Sequence, residues 1–128
     1  MYTDKVMDHF LNPRNAVPME EPDAMGRAGD PACGDALIFF LRVEDGTIRQ
    51  ASYLVFGCCA SIATASMTSV LVQGKTLEEA LAVTEEDVLV ALDGLPPGKV
   101  HCSNLGVEAL RSAIRDYRKG HDGKVETT

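Results

Sequence analysis

The sequence lacks the features that would place the protein in a membrane, outside the cell or on a nucleic acid. No apolar run approaches the roughly 18 residues needed to cross a bilayer, and the N-terminal residues lack the basic and apolar regions of a secretory signal. Basic charge is scarce as well, since 12 Lys and Arg stand against 19 Asp and Glu and the net charge is -7. An electrostatic binder of nucleic acid or of an anionic membrane needs clustered Lys and Arg. We therefore expect a cytoplasmic protein that binds neither.

The cysteines are not needed as disulfide cross-links. A chain of 128 residues, 45% hydrophobic and 24% charged, has the composition of a globular protein and can bury roughly two-thirds of the surface that its unfolded form exposes. Cysteines in a reducing compartment serve metal or sulfur chemistry more often than cross-linking. The four cysteines are Cys33, Cys58, Cys59 and Cys102. We expect one domain over residues 1–120, followed by a disordered tail at 121–128.

Apolar residues at helical spacing, together with capping residues, predict five helices. They cover residues 3–11, 60–73, 76–83, 84–92 and 103–119. Asn12-Pro13 ends the first of these helices, and Gly74 and Gly120 end the second and the last. Thr76 and Thr84 are the predicted N-caps of the third and the fourth helix, and Thr3 is the predicted N-cap of the first.

Two strands and a long loop are predicted before the second helix. Residues 36–43 and 48–56 are rich in aromatic and branched side chains, and Asp45-Gly46 between them is a hairpin signal. The two strands should pair antiparallel. Residues 13–34 hold four of the six prolines and show little periodicity, which predicts a loop.

Three short motifs carry the residues that could do chemistry, and each lies at the end of a predicted element. They are Ala32-Cys33-Gly34-Asp35, Gly57-Cys58-Cys59 and Lys99-Val100-His101-Cys102. Element ends around one sheet can converge in space. If these do, thiols, a carboxylate and an imidazole share one pocket.

The residue types in these motifs favour a soft or borderline metal. Cys33, Cys58 and Cys102 offer thiolates, and Asp35 or His101 offers a harder fourth ligand. The separations of 25 residues (58 minus 33) and 44 residues (102 minus 58) differ from the close pairs of structural zinc sites and ferredoxins. We therefore predict an open site from which the metal must leave again.

Sulfur chemistry is a second property that these motifs predict. Lys99 and His101 should lower the pKa of nearby thiols, and a thiol at a helix start is activated further. Both conditions point to Cys102 as the best nucleophile. The site would then be suited to accept sulfur.

Taken together, the motifs resemble the IscU/NifU-type iron-sulfur cluster assembly scaffolds. The resemblance rests on ACGD around Cys33, GC at Cys58, LPP.K.HCS from Leu95 to Ser103, and DKV.DH..NPRN near the start. It extends over most of residues 1 to about 120. It implies an α+β fold in which a small antiparallel sheet of about three strands packs against several helices.

The resemblance also implies a function, which is that of a scaffold and carrier, not an enzyme. A [2Fe-2S] cluster would be assembled from iron and from persulfide sulfur supplied by a cysteine desulfurase, and then passed to acceptor apo-proteins. Carried over by motif, Cys33, Cys58 and Cys102 are cluster ligands, and Asp35 governs cluster lability. Lys99 and His101 flank the site, and Cys102 accepts the sulfur. Further implied partners are Hsp70/J-type chaperones and an iron donor or ferredoxin.

Three departures from the family pattern accompany the resemblance. Cys59 stands where the family has a small residue such as glycine, and the chaperone-recognition segment reads LPPGK instead of LPPVK. The family's first strand should fall near residues 24–29, where Met25 is the only large apolar residue. That strand is expected to be short or missing.

Two questions stay open at this level. The first is whether the chain is instead a zinc-binding sulfur-transfer protein, in which Zn is held by Cys33, Asp35, Cys58 and either Cys102 or His101. Zinc-dependent relatives of the family usually carry an insertion between the second helix and the final Cys motif, and here that interval is short. The other concerns Cys59. Adjacent side chains of an extended strand point to opposite faces, which favours Cys59 as core filling over a role as alternate ligand or secondary sulfur acceptor.

Overall fold

In the computed structural model, which describes residues 2–30 and 35–127, a three-stranded antiparallel sheet packs against helices. The elements are α1 (Asp4–Leu11), β1 (Ala24–Asp30), β2 (Asp35–Glu44), β3 (Thr47–Phe56), α2 (Cys59–Val72), α3 (Leu77–Leu81), α4 (Glu85–Ala91), a 3-10 helix (Pro97–Cys102) and α5 (Ser103–Thr127). The strand order is β1-β2-β3. The predicted α+β fold with a sheet of about three strands is confirmed.

The hairpin of β2 and β3 forms where the Asp-Gly signal predicts it. Asp45 and Gly46 both have positive φ, at 53° and 74°, which is the conformation that this turn requires. Alternate side chains of β2, including Leu37 and Phe39, are fully or almost fully buried. They face a core that also takes in Tyr53 of β3. The hairpin therefore supplies one wall of the core.

Strand β1 is present over seven residues, so the prediction of a loop was wrong for residues 24–30 and the strand is neither short nor missing. It pairs with β2 from Ala24 opposite Leu41 to Asp30 opposite Asp35. Its buried positions carry small residues because α5 lies directly on them: a Cβ on Gly26 would come within 2.2 Å of the Ala113 backbone nitrogen. A close helix thus replaces the large apolar side chains that the sequence lacks. Residues 13–23 have no helix or strand, as predicted.

Helix α2 runs through the middle of the protein, and ten of its small or aliphatic residues are buried. The helix contacts α1, β3 and α5. Close packing is possible because its neighbours also offer small residues: a Cβ on Gly106 of α5 would lie 2.5 Å from the Thr68 hydroxyl. The predicted helix is confirmed, and its first turn begins directly after Cys58.

The short helices α3 and α4 both begin with a capping box. Thr76 exchanges hydrogen bonds with Glu79, and Thr84 does so with Asp87. Both predicted N-caps are confirmed, as is Thr3, which caps α1 by accepting a hydrogen bond from the Val6 backbone N–H. Helix α4 packs against α2 and α5, and α3 packs against α5.

The last helix is longer than its sequence predicts. The backbone of α5 stays helical past Gly120 to Thr127, so the predicted helix end at Gly120 was wrong. The disordered tail over 121–128 stays a prediction. A glycine inside a helix costs only about 1 kcal/mol relative to alanine, which does not by itself end the helix. The domain boundary at residue 120 stays a prediction. No helix in the described ranges is both long and apolar enough to span a bilayer.

Candidate functional site

Three elements from distant parts of the sequence bring Asp35, Cys58 and Cys102 together. Asp35 is the first residue of β2, Cys58 is the N-cap of α2, and Cys102 is the last residue of the 3-10 helix. One ligand atom from each lies within 4.8 Å of the others. Cys102 Sγ is 3.9 Å from Cys58 Sγ and 3.9 Å from Asp35 Oδ2. The predicted convergence of the second and third motifs, with Asp35 of the first, is thus observed.

Burial is uneven across this group, which gives the site a closed side and an open side. Cys102 is fully buried and Asp35 is only 6% exposed, whereas Cys58 is half-buried. The carboxylate packs directly on the backbone before α2, where a Cβ on Gly57 would lie 2.6 Å from Asp35 Oδ1. Asp35 and Cys102 therefore form the inner part of this group, and Cys58 lies nearer the solvent.

Ser61 lies among the three ligand residues, although sequence analysis did not select it. It is fully buried, its hydroxyl donates to Asp35 Oδ2 at 2.6 Å, and its oxygen is 3.5 Å from Cys58 Sγ. Its position three residues after Cys58 could have indicated this, because the residue three positions after an N-cap lies beside the cap. Among the many small residues of α2, that spacing alone did not distinguish it.

The two thiols of the site differ in acidity. Partial burial opposes ionisation of Cys58, but the Ser61 hydroxyl and the backbone N–H groups of Ser61 and Ala60 outweigh it and lower the pKa. For Cys102, burial and the neighbouring Cys58 and Asp35 raise the pKa to about 11. Cys102 donates its proton toward Asp35 Oδ2, and its role as the sulfur acceptor stays a prediction.

Tyr2 lies close enough to the cysteines for their charges to act on its hydroxyl. Burial raises the pKa of its hydroxyl, and the charges that Cys59 and Cys58 carry when ionised raise it further, while Lys99 opposes them. Tyr2 is half-buried and packs against the hydrophobic core. Its phenol therefore shares the electrostatic environment of the thiols.

The distances fit a tetrahedral metal. An ion with metal–sulfur bonds of about 2.3 Å holds two sulfur ligands roughly 3.8 Å apart in tetrahedral geometry. The observed Sγ separation of Cys58 and Cys102 is 3.9 Å. Two thiolates and a carboxylate also form a donor set that suits zinc or iron better than calcium or magnesium.

Comparisons with known proteins place the chain in a family. The family described as the NifU-like N terminal domain matches residues 1–123. The chain belongs to this family. One relative of this NifU-like domain is the iron-sulfur cluster assembly scaffold protein IscU 1 of Archaeoglobus fulgidus, which is 48% identical over 126 residues, or 98% of this chain and 82% of that protein.

Further relatives and structures agree with the NifU-like assignment. The iron-sulfur cluster assembly scaffold protein IscU of Escherichia coli K12 is 39% identical over 127 residues, covering 96% of this chain and 98% of that protein. The crystal structure of a nitrogen-fixing NifU-like protein (N-terminal) from Brucella abortus superposes with a TM-score of 0.74 at 18% identity, covering 91% of this chain and 94% of that one. At that identity the superposition supports the fold alone.

The remaining residues predicted for the NifU-like site are Cys33, Cys59, Lys99 and His101. Cys33 and the side chain of His101 lie outside the described residues, so their roles as ligands stay predictions. Lys99 is half-buried in the 3-10 helix. Cys59 begins α2, is half-buried and packs against the hydrophobic core, which fits the core-filling interpretation. Burial and the neighbouring Cys58 raise the pKa of its thiol.

Proposed function

We propose that this NifU-like domain is a scaffold on which an iron-sulfur cluster is assembled and from which it is transferred to acceptor apo-proteins. The observation that carries the proposal is that Cys102 Sγ lies 3.9 Å from Cys58 Sγ and 3.9 Å from Asp35 Oδ2. Relatives 39% and 48% identical over nearly the full chain are named as scaffolds of this kind. The cluster is cargo, and the protein acts as a carrier and not as a catalyst.

The cargo we propose is a [2Fe-2S] cluster held by Cys33, Cys58 and Cys102, with Asp35 as an exchangeable fourth ligand. A carboxylate oxygen is a harder ligand than a thiolate, and it is therefore more readily displaced from iron. The half-buried position of Cys58 leaves one side of the site accessible to incoming iron and to an acceptor protein. Assembly and release could then use the same opening.

Sulfur would arrive from a cysteine desulfurase. In the proposed step a thiolate of the site attacks the outer sulfur of the desulfurase persulfide. A new S–S bond forms on the scaffold cysteine, and the desulfurase thiolate leaves. Cys102 is the acceptor that the motif implies, with Lys99 and His101 beside it, but its raised pKa requires that its proton first be removed.

Other partners follow from the same assignment. The LPPGK segment, which includes the start of the 3-10 helix, would be the recognition site for Hsp70/J-type chaperones. An iron donor or ferredoxin would supply iron or electrons. We propose a cytoplasmic location, in keeping with reduced cysteines.

The test is anaerobic reconstitution with ferrous iron, cysteine and a cysteine desulfurase. We expect the visible charge-transfer absorption of a [2Fe-2S] cluster in the wild type, and its loss in Cys58→Ser. Gly98→Ala is the matched control, because a Cβ there meets no atom within 4 Å. If the wild type forms no such band where a related scaffold does, the proposed function is wrong.

Zinc-dependent sulfur transfer is the second candidate, since the 3.9 Å separation of the Cys58 and Cys102 sulfurs suits a tetrahedral zinc ion equally well. Metal analysis of protein purified without oxygen separates the two functions. Stoichiometric zinc that survives incubation with iron and sulfide would favour the zinc function. Replacement of the zinc by iron and sulfide would favour the scaffold.

A further inference from the structure

The buried hydroxyl of Ser61 does not donate to the backbone of its own helix, as two other hydroxyls of α2 do. Thr68 and Ser69 each donate to a carbonyl three or four residues earlier in the same helix. Ser61 instead donates across the site to Asp35 Oδ2, at 2.6 Å. A hydroxyl has one proton to donate, and the contact with Cys58 Sγ is longer, at 3.5 Å. The carboxylate is therefore its main partner.

The oxygen that Ser61 contacts is the one that faces the thiols. Asp35 Oδ2 lies 3.9 Å from Cys102 Sγ, whereas the other oxygen, Oδ1, packs against the backbone at Gly57. The carboxylate is thus held from two sides, by a hydrogen bond and by a close backbone contact. Both contacts restrict the orientation of the carboxylate.

We propose that Ser61 is a positioning residue that holds Asp35 Oδ2 in the place where it binds a metal together with Cys58 and Cys102. A carboxylate oxygen has two lone pairs, so Oδ2 can accept the Ser61 hydrogen bond and bind an ion at the same time. Hydrogen bonds to metal-binding carboxylates commonly set ligand orientation, and their loss costs about 10- to 100-fold in metal affinity. This inference rests on the proposed function only in taking Asp35 as a ligand.

The test uses Co²⁺ alone, which needs neither iron, sulfide nor a desulfurase. Reduced wild type, Ser61→Ala, Asp35→Ala and the double variant are titrated anaerobically, and thiolate charge-transfer and d–d absorption report the affinity and the ligand geometry. We expect Ser61→Ala to weaken Co²⁺ binding about 10- to 100-fold and to change the d–d spectrum. In the Asp35→Ala background the same substitution should change the affinity by less than about twofold, because interacting residues are non-additive.

Thr68→Val is the matched control. It removes another fully buried hydroxyl of α2, one that donates to the Thr64 carbonyl, and keeps the shape of the side chain. We expect wild-type Co²⁺ affinity and spectrum from it. Circular dichroism and thermal unfolding of each variant check that the fold is retained. Comparing Asp35→Ala with the double variant isolates the effect of Ser61 when the carboxylate is missing from both proteins.

Three results would overturn the inference. The first is Co²⁺ binding by Ser61→Ala with wild-type affinity and spectrum. The second is equal weakening by Ser61→Ala with and without Asp35, which would mean that the hydroxyl acts on something other than the carboxylate. The third is failure of the wild type to bind Co²⁺. A protein that shows the expected Co²⁺ behaviour but assembles no cluster would instead refute the proposed function and leave the role of Ser61 intact.

Discussion

Cys58 Sγ and Cys102 Sγ lie 3.9 Å apart although 44 positions separate the two residues in the sequence. The contact depends on how α2 meets the 3-10 helix. The Thr64 hydroxyl of α2 lies 3.2 Å from the backbone carbonyl of Cys102, which brings the two elements into direct contact. The position of the thiol pair therefore depends on how these two elements pack against each other.

This proximity predicts that oxidation joins the two thiols. A disulfide has sulfurs about 2.05 Å apart, so a small side-chain rotation would suffice, and the lowered pKa of Cys58 supplies the reactive thiolate. We expect diamide to form an intramolecular Cys58–Cys102 disulfide and to abolish Co²⁺ binding until a reductant is added. Peptide mapping by mass spectrometry locates the bond. A disulfide of Cys58 with Cys59 instead would contradict the observed geometry.

We predict that metal binding requires glycine at position 57, because the Asp35 carboxylate packs on the Gly57 backbone. A Cβ at position 57 would lie 2.6 Å from Asp35 Oδ1, so Gly57→Ala must push the carboxylate away from its present position. Overpacking of this kind typically costs about 1–3 kcal/mol. We expect weaker Co²⁺ binding, measured by titration, with a moderate decrease in the unfolding midpoint. Gly98→Ala, in the neighbouring 3-10 helix and with no atom within 4 Å of the added Cβ, should change neither.

We predict that the buried His9 makes the protein less stable to unfolding in mild acid. Its Nδ1 lies 2.7 Å from the buried Ser66 hydroxyl, and burial, followed by the nearby Arg14, lowers the pKa of the imidazole below its ordinary 6.5. The unfolded chain therefore binds a proton near pH 6.5 that the folded protein does not, and the free energy of unfolding falls as the pH drops below that value. Urea unfolding at pH 7.5 and at pH 5.5 measures the difference.

The control for His9 separates it from other groups that titrate. His9→Gln removes the group, so the decrease in stability between pH 7.5 and 5.5 should become smaller than in the wild type. The Asp8 carboxyl has its pKa lowered by the hydrogen bond from Arg14, so its contribution is lost only as the pH falls below about 3.8, outside this range. An unchanged pH dependence in His9→Gln would show that another group causes the effect.

The sequence predicted the elements whose signals are local. The Asp45-Gly46 turn and the Thr76 and Thr84 capping boxes depend on residues within four positions of one another, and all three form. Strand β1 could not be predicted in this way, because its burial comes from α5, more than 80 residues later, closing on Gly26. The only large apolar residue of the strand, Met25, is exposed, so no alternation of large apolar side chains reveals the strand.

The candidate site likewise has features that could be predicted from the sequence and features that could not. The convergence of Asp35, Cys58 and Cys102 followed from their positions at element ends, where polar and reactive side chains can meet. The order of thiol acidity did not follow, because it depends on burial of Cys102 and on the backbone N–H groups at the start of α2. Ser61 was hidden for a related reason: a serine among the small residues of a buried helix has the same sequence signature whether it bonds its own helix or a ligand residue.

Asp35 itself should control how quickly the cargo leaves. Its carboxylate is the harder ligand of the described set, and an incoming ligand of an acceptor protein displaces it more readily than a thiolate. We expect Asp35→Ala to retain a reconstituted cluster longer and to transfer it several-fold more slowly to an apo-ferredoxin, followed by the change in circular dichroism in the visible range. Ser61→Ala, which leaves the carboxylate present but releases its hydrogen bond, should transfer at a rate between those of the wild type and Asp35→Ala. Transfer at the wild-type rate by Asp35→Ala would exclude the carboxylate from the release step, since the thiolates alone would then determine the rate.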